Sequence, residues 1–105
     1  MKAHQCINFT PSNFKMIQDG KRTTIRLGTK SLTLGPVALT CDEGMDALSA
    51  YISEIRVVSF GLISQDDAAN DGFNSVSDLK DELQRCYSTE INDHDVVTVI
   101  KFKIC

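Results

Sequence analysis

Gly20 divides two stretches that obey different rules, and the change across it decides much of what the first quarter of the chain can become. Before it, Thr10-Pro11 opens a helix. Thr10 offers a hydroxyl to the unpaired N–H groups of the first turn, and Pro11 has no N–H to lose there. Phe14 and Ile17, three apart, share one helical edge. Gly20 then supplies a residue that takes positive φ where the helix must stop. After it, Lys21 falls in the turn and Thr23-Thr24-Ile25-Arg26 reads as a strand. Alternate side chains of a strand share a face, so Thr24 and Arg26 point one way, Thr23 and Ile25 the other. The stem of Lys21 is long enough to return its amine over the Thr24 and Arg26 face. One face then holds an amine, a hydroxyl and a guanidinium.

The rest of the chain supplies a sheet and two further helices. His4 to Phe9 alternates as an opening strand. Gly28 and Thr29-Lys30-Ser31 suggest a surface loop, Gly35-Pro36 a turn, and Val37 to Thr40 a strand too short to stand at a sheet edge unaided. Asp42-Glu43-Gly44 reads as a hairpin tip. Ala47 to Val58 is the longest extended candidate, rich in β-branched residues, with Ala50, Ile52 and Glu54 set against Tyr51, Ser53, Ile55 and Val57; a central, curved strand suits it. Ser64-Gln65-Asp66-Asp67 resembles a capping box that opens a short helix, which Asn70-Asp71-Gly72 breaks. Ser75-Val76-Ser77-Asp78 is a second such box. Behind it Leu79, Leu83, Cys86 and Tyr87 fall on one helical face. Asp95 to Ile104 closes the chain as a strand with Val96, Ile100, Phe102 and Ile104 on one face and Val97, Val99, Lys101 and Lys103 on the other, packed on one side and wet on the other. This order predicts an α+β fold in one domain spanning residues 1–105: a small mixed β-barrel with three short helices, closed by pairing of the first and last strands.

Composition narrows the partners. The 105 residues carry a net charge of −3. The first thirty residues hold a surplus of five positive charges and the remainder a surplus of eight negative ones. Such a split can draw a polar or anionic ligand to one region while repelling long polyanions, so DNA is not expected as a partner. The plainer alternative is that many of these basic residues are ordinary solvated surface. Apolar runs fall far short of the roughly 20 residues a spanning helix needs, so no membrane is expected. The N-terminus lacks a secretory apolar region. Cys6, Cys41, Cys86 and Cys105 are widely spaced with no Cys-x-x-Cys pair, and read as buried thiols of a reduced, cytoplasmic protein. With only His4 and His94 beside them, neither a metal nor another cofactor is expected.

At the basic turn, a threonine hydroxyl becomes a nucleophile when a neighbouring base takes its proton, and a lysine serves as that base when its amine is neutral. Nearby Arg22 and Arg26 favour that neutral form. A carboxyl group would complete an acyl-transfer constellation, and Asp71, at the break between two helices, is placed to project into a cleft. Two structural alternatives stand beside this. Charged residues also protect an exposed edge strand from pairing with another chain, and Asn-Asp-Gly is ordinary turn chemistry.

Over nearly its whole length the chain resembles the ASCH domain family of small PUA-like β-barrels. The resemblance rests on Ile7-Asn8-Phe9, on Phe14, Ile17 and Gly20-Lys21 through Thr24-Ile25-Arg26, on Gly35, on Ala69-x-Asp71-Gly72-Phe73 leading into Leu79, and on the closing Val99-Ile100-x-Phe102. Within that family the chain is most similar to the N4-acetylcytidine amidohydrolases, which release cytidine and acetate. That similarity implies a small nucleoside-like substrate, with Lys21 as proton acceptor and Thr24 as nucleophile. The family's glutamate proton donor falls on Asp71, one methylene shorter, a deficit of roughly 1.5 Å. Arg22, Arg26 and Phe73 are the implied substrate-binding residues. Other members imply RNA as the alternative partner, for a binding module or a ribonuclease, with Arg22, Arg26 and Lys30 on phosphates and Phe73 or Tyr51 stacked on a base.

Overall fold

The computed structural model describes residues 5–41 and 46–105. Among these, the elements run β1 (Cys6–Phe9), α1 (Pro11–Gln18), β2 (Thr23–Leu27), β3 (Gly35–Cys41), β4 (Leu48–Ser59), α2 (Gln65–Asn70), α3 (Val76–Tyr87) and β5 (Val96–Ile104), with a turn of 3-10 helix at Phe60–Leu62. The hairpin tip expected at Asp42-Glu43-Gly44 lies outside the described residues, as does His4. The helix starts follow the capping chemistry read from the sequence. The Thr10 hydroxyl accepts from the Asn13 N–H at 3.4 Å, Ser64 and Asp67 form both halves of a capping box, and Ser75 accepts from the Asp78 N–H at 3.1 Å. Gly20 takes φ 115° after α1. No helix among the described residues is long and apolar enough to cross a membrane.

The five strands form one mixed sheet in the order β1-β3-β4-β5-β2, with β1 parallel to β3 and the other neighbours antiparallel. The sheet curls into a half-barrel, an α+β fold. Its first and last strands do not pair, contrary to expectation. β1 and β2 are the edges, and β5 lies between β4 and β2. The composition of β5 explains this: Val97, Thr98, Val99 and Ile100 are all buried, so this half of the strand needs cover on both faces, and exposed side chains return only beyond it, at Lys101 and Lys103 with Ile104 half-buried. The expected single wet face is absent there, while Val96 remains exposed.

β4 departs from simple alternation. Ile52 lies opposite Phe102 and Ile55 opposite Ile100, so three residues on β4 match two on β5. The extra residue is a bulge, which bends the strand and turns Ile55 to the face of Ile52 instead of the opposite one.

Two apolar clusters result. Ile52, Ile100 and Phe102 meet Phe9, Leu39, and Phe14 and Ile17 of α1 in the first. Ile25, Val97 and Val99 lie under Ala68 of α2 and Leu79 and Leu83 of α3 in the other. Of the four cysteines only Cys41 is buried. Cys6 lies on the outward side of β1, whose inward side carries Ile7 and Phe9, which corrects the reading of all four as core thiols.

Candidate functional site

β2 is an edge strand, so some of its backbone N–H groups face away from the ladder and need another acceptor. The Ile25 N–H finds one in Oδ2 of Asp71, at 3.0 Å. Oδ1 of the same carboxylate forms an ion pair with Nζ of Lys21. Local structure delivers both groups. α2 ends at Asn70, Asp71 takes the C-cap position, and Gly72 turns the chain away at φ 91°. Lys21 follows α1, its N–H bonded to the Met16 carbonyl at 2.9 Å. The two helix ends approach closely: a Cβ on Gly72 would stand 2.8 Å from Sδ of Met16.

Both side chains of the ion pair are 3% exposed. Burial pushes the Asp71 carboxyl up to about 6, against the opposing pull of the Lys21 charge and the Ile25 N–H. The shorter side chain is thus no obstacle to contact, because the turn after α2 brings the carboxyl directly onto Lys21.

Thr24 and Arg26 share a face, as two-residue spacing on a strand requires. Nε of Arg26 donates to Oγ1 of Thr24 at 2.9 Å and Nη1 to the Asn8 carbonyl at 2.8 Å. Arg26 therefore spans the two sheet edges, joining β2 to β1 by a side chain where they do not pair. Its guanidinium carbon lies 4.6 Å from the Phe9 ring centroid and Nζ of Lys21 lies 5.4 Å from it, both within cation–π range. Burial lowers the Arg26 pKa, with Tyr87 and Asp71 acting against the shift. A cationic donor on Oγ1 favours the anionic form of that oxygen and leaves the hydroxyl proton available to another acceptor.

A cleft of about 240 Å³ opens beside these groups. Lys21, Thr24, Arg26 and Asp71 line it together with Phe73, and α1 and α3 contribute Asn13, Glu82 and Tyr87. Four of the residues singled out from sequence, Lys21, Thr24, Asp71 and Arg26, are thus assembled, and Phe73 joins them.

Arg22 does not line this cleft. It is exposed, and its Nη1 donates to the carbonyls of Ile17 at 2.9 Å and Lys21 at 2.7 Å, capping the end of α1. It borders a separate depression with Lys101 and Lys103. Tyr51 is 49% exposed and pairs across the sheet with Lys103, away from the cleft. Lys30 lies over the Tyr87 ring, 5.6 Å from its centroid.

Sequence reasoning missed Asn13 and Glu82. Nδ2 of Asn13 donates to Oε2 of Glu82 at 3.1 Å, joining α1 to α3. Arg85 holds the Glu82 carboxyl below the usual glutamate range, and Asn13 and Cys86 add to that against burial. Each residue flanks the apolar edge of its own helix, which is the only local signal. That the two edges converge is a tertiary fact. Among the described residues no three His, Cys, Asp or Glu side chains group in a way that could hold a metal ion.

In structure the chain is similar to an ASCH domain from Lactobacillus crispatus JV V101, with TM-score 0.74 and 15% identity over 95% of this chain and 78% of that one. It is similar also to hypothetical protein PH0355, with TM-score 0.70 and 17% identity over 96% and 98% of the two chains. A third similar structure is protein EF3133 from Enterococcus faecalis V583, described by the family-model DUF984, with TM-score 0.61 and 10% identity over 85% of this chain and 63% of that one. At these identities the likeness establishes the fold alone, an α+β half-barrel like that of the ASCH domain structure. No family model matches the sequence, and no curated protein matches it.

Proposed function

We propose that the cleft is the active site of an amidohydrolase acting on N4-acetylcytidine or a related acylated pyrimidine nucleoside. The observation that carries this reading is the buried Lys21–Asp71 pair beside a threonine whose oxygen accepts from Arg26. The proton of the ion pair first passes from Nζ of Lys21 to Oδ1 of Asp71, leaving a neutral amine; Oγ1 of Thr24 then attacks the acyl carbon and its proton passes to that amine. The amide C–N bond breaks, and the leaving nitrogen takes a proton from Asp71. Water then hydrolyses the acyl-threonine, releasing the carboxylic acid and restoring the hydroxyl. A carboxyl with its pKa near 6 is suited to give up a proton close to neutrality.

The charges lining the cleft favour a small neutral ligand. Lys21 and Arg26 are balanced there by Asp71 and Glu82, which leaves no net attraction for a phosphate. The RNA-binding alternative loses two of its contacts, because Arg22 and Tyr51 stand away from the cleft.

The test is incubation of the purified protein with N4-acetylcytidine, following release of cytidine. The parent should turn over, and Thr24→Ala, Lys21→Met and Asp71→Ala should each lose about 100-fold or more. Circular dichroism checks that each variant is folded. A parent with no turnover, or a folded Lys21→Met variant with full turnover, overturns the reading.

A further inference from the structure

Glu82 takes no part in the steps above, yet it is among the most firmly held side chains in the cleft. Nε of Arg85 donates to its Oε1 at 3.0 Å, and Nη2 of Arg85 to its Oε2 at 2.6 Å. Nδ2 of Asn13 at 3.1 Å and Sγ of Cys86 at 3.4 Å also donate to Oε2. A carboxylate has about four acceptor positions, two on each oxygen. These bonds crowd Oε2 and leave Oε1 with capacity for a further donor.

Asn13 adds a second acceptor. A carboxylate can only accept, so the amide of Asn13 must turn its NH₂ toward Glu82, which fixes its carbonyl oxygen on the other side. That oxygen is buried with no hydrogen-bond partner among the described residues. Asn13 lines the cleft beside Glu82, so this oxygen is an unsatisfied acceptor at the cleft wall. Two neighbouring residues, from different helices, thus offer acceptors to the same space.

We infer that Glu82 and Asn13 form the sugar-binding wall of the cleft, where their oxygens accept hydrogen bonds from the vicinal hydroxyls of a ribose. This rests on reading the cleft as a nucleoside site and adds the part of the nucleoside that is recognised. Paired O–H groups supply the donors that the wall lacks. A cationic amine would meet Lys21 and Arg26 in the same cleft, and a phosphate would meet the Glu82 carboxylate. An uncharged, hydroxyl-bearing ligand avoids both conflicts.

Calorimetric titration of the whole chain with cytidine, 2′-deoxycytidine and cytosine tests this without requiring turnover. Cytidine should bind at least about tenfold more tightly than cytosine, with 2′-deoxycytidine between them. Glu82→Gln should weaken cytidine by about tenfold and leave cytosine unchanged. Equal affinity for cytidine and cytosine, no binding of any of the three, or an unchanged ratio in Glu82→Gln overturns the assignment. Should that variant fail to fold, the three ligands on the parent decide alone. Sugar selectivity without hydrolysis of N4-acetylcytidine would sink the amidohydrolase and leave the sugar wall standing; hydrolysis without sugar selectivity would do the reverse.

Discussion

Asp71 is subject to two opposing forces, and their balance sets how the protein responds to pH. Burial favours its neutral form and Lys21 its ionised form. Burial prevails, and the carboxyl sits near 6, above the roughly 3.9 of an unfolded chain. Between those values the folded protein keeps a proton that the unfolded chain has released. Stability from this group is therefore fully present below about pH 4 and is lost as the pH rises through about 6, by about 2–3 kcal/mol in all. Urea unfolding from pH 4 to 7 should show that decline, and Asp71→Asn should remove it. At pH 7 the same substitution strands Lys21 in a buried site and should cost about 3 kcal/mol; an Asn variant as stable as the parent would show that the pair contributes nothing. In the proposed reaction the Lys21–Asp71 pair must hold one proton between its two members, so kcat/KM should rise as the pH passes up through about 6, where the second proton leaves. A flat profile from pH 5 to 8 would remove the pair as acid and base.

Among the elements, the ends of α1 and α2 matter more to the site than their lengths. Gly20 and Gly72 both take positive φ, at 115° and 91°, but their surroundings differ. A Cβ on Gly20 meets nothing within 4 Å, whereas one on Gly72 meets Met16 Sδ at 2.8 Å. Gly20→Ala should therefore cost only the backbone strain, about 1–2 kcal/mol. Gly72→Ala carries the same strain and also forces Met16 aside, next to Asp71. Measured on folded protein, it should lose more activity than Gly20→Ala. Equal activity in the two would mean that the approach of the helix ends does not position the carboxyl. The bulge in β4 acts at the same scale, because it puts Ile55 and Ile52 on one face, both against the cluster that packs on α1.

At the scale of the molecule, the apolar cluster that includes Phe14 and Ile17 holds α1 against the sheet. Leu39 is fully buried there, and Leu39→Ala should cost about 2–5 kcal/mol by urea unfolding. A loss under about 1 kcal/mol would show that the half-barrel collapses around the missing side chain. Sequence determined what short-range chemistry determines. Thr10-Pro11, Ser64 with Asp67, and Ser75 set the helix starts, Gly20 ended α1, and two-residue spacing put Thr24 and Arg26 on one face, because capping and strand alternation act within a few residues. Asp71 was legible through its place in a resemblance and its turn. Tertiary structure alone decided that β5 lies inside the sheet and that β1 and β2 are joined through Arg26. It alone turned Arg22 away to cap a helix and drew Asn13 and Glu82 into the cleft. Each of these depends on which surfaces meet, and that is settled by burying all the apolar faces of the chain at once.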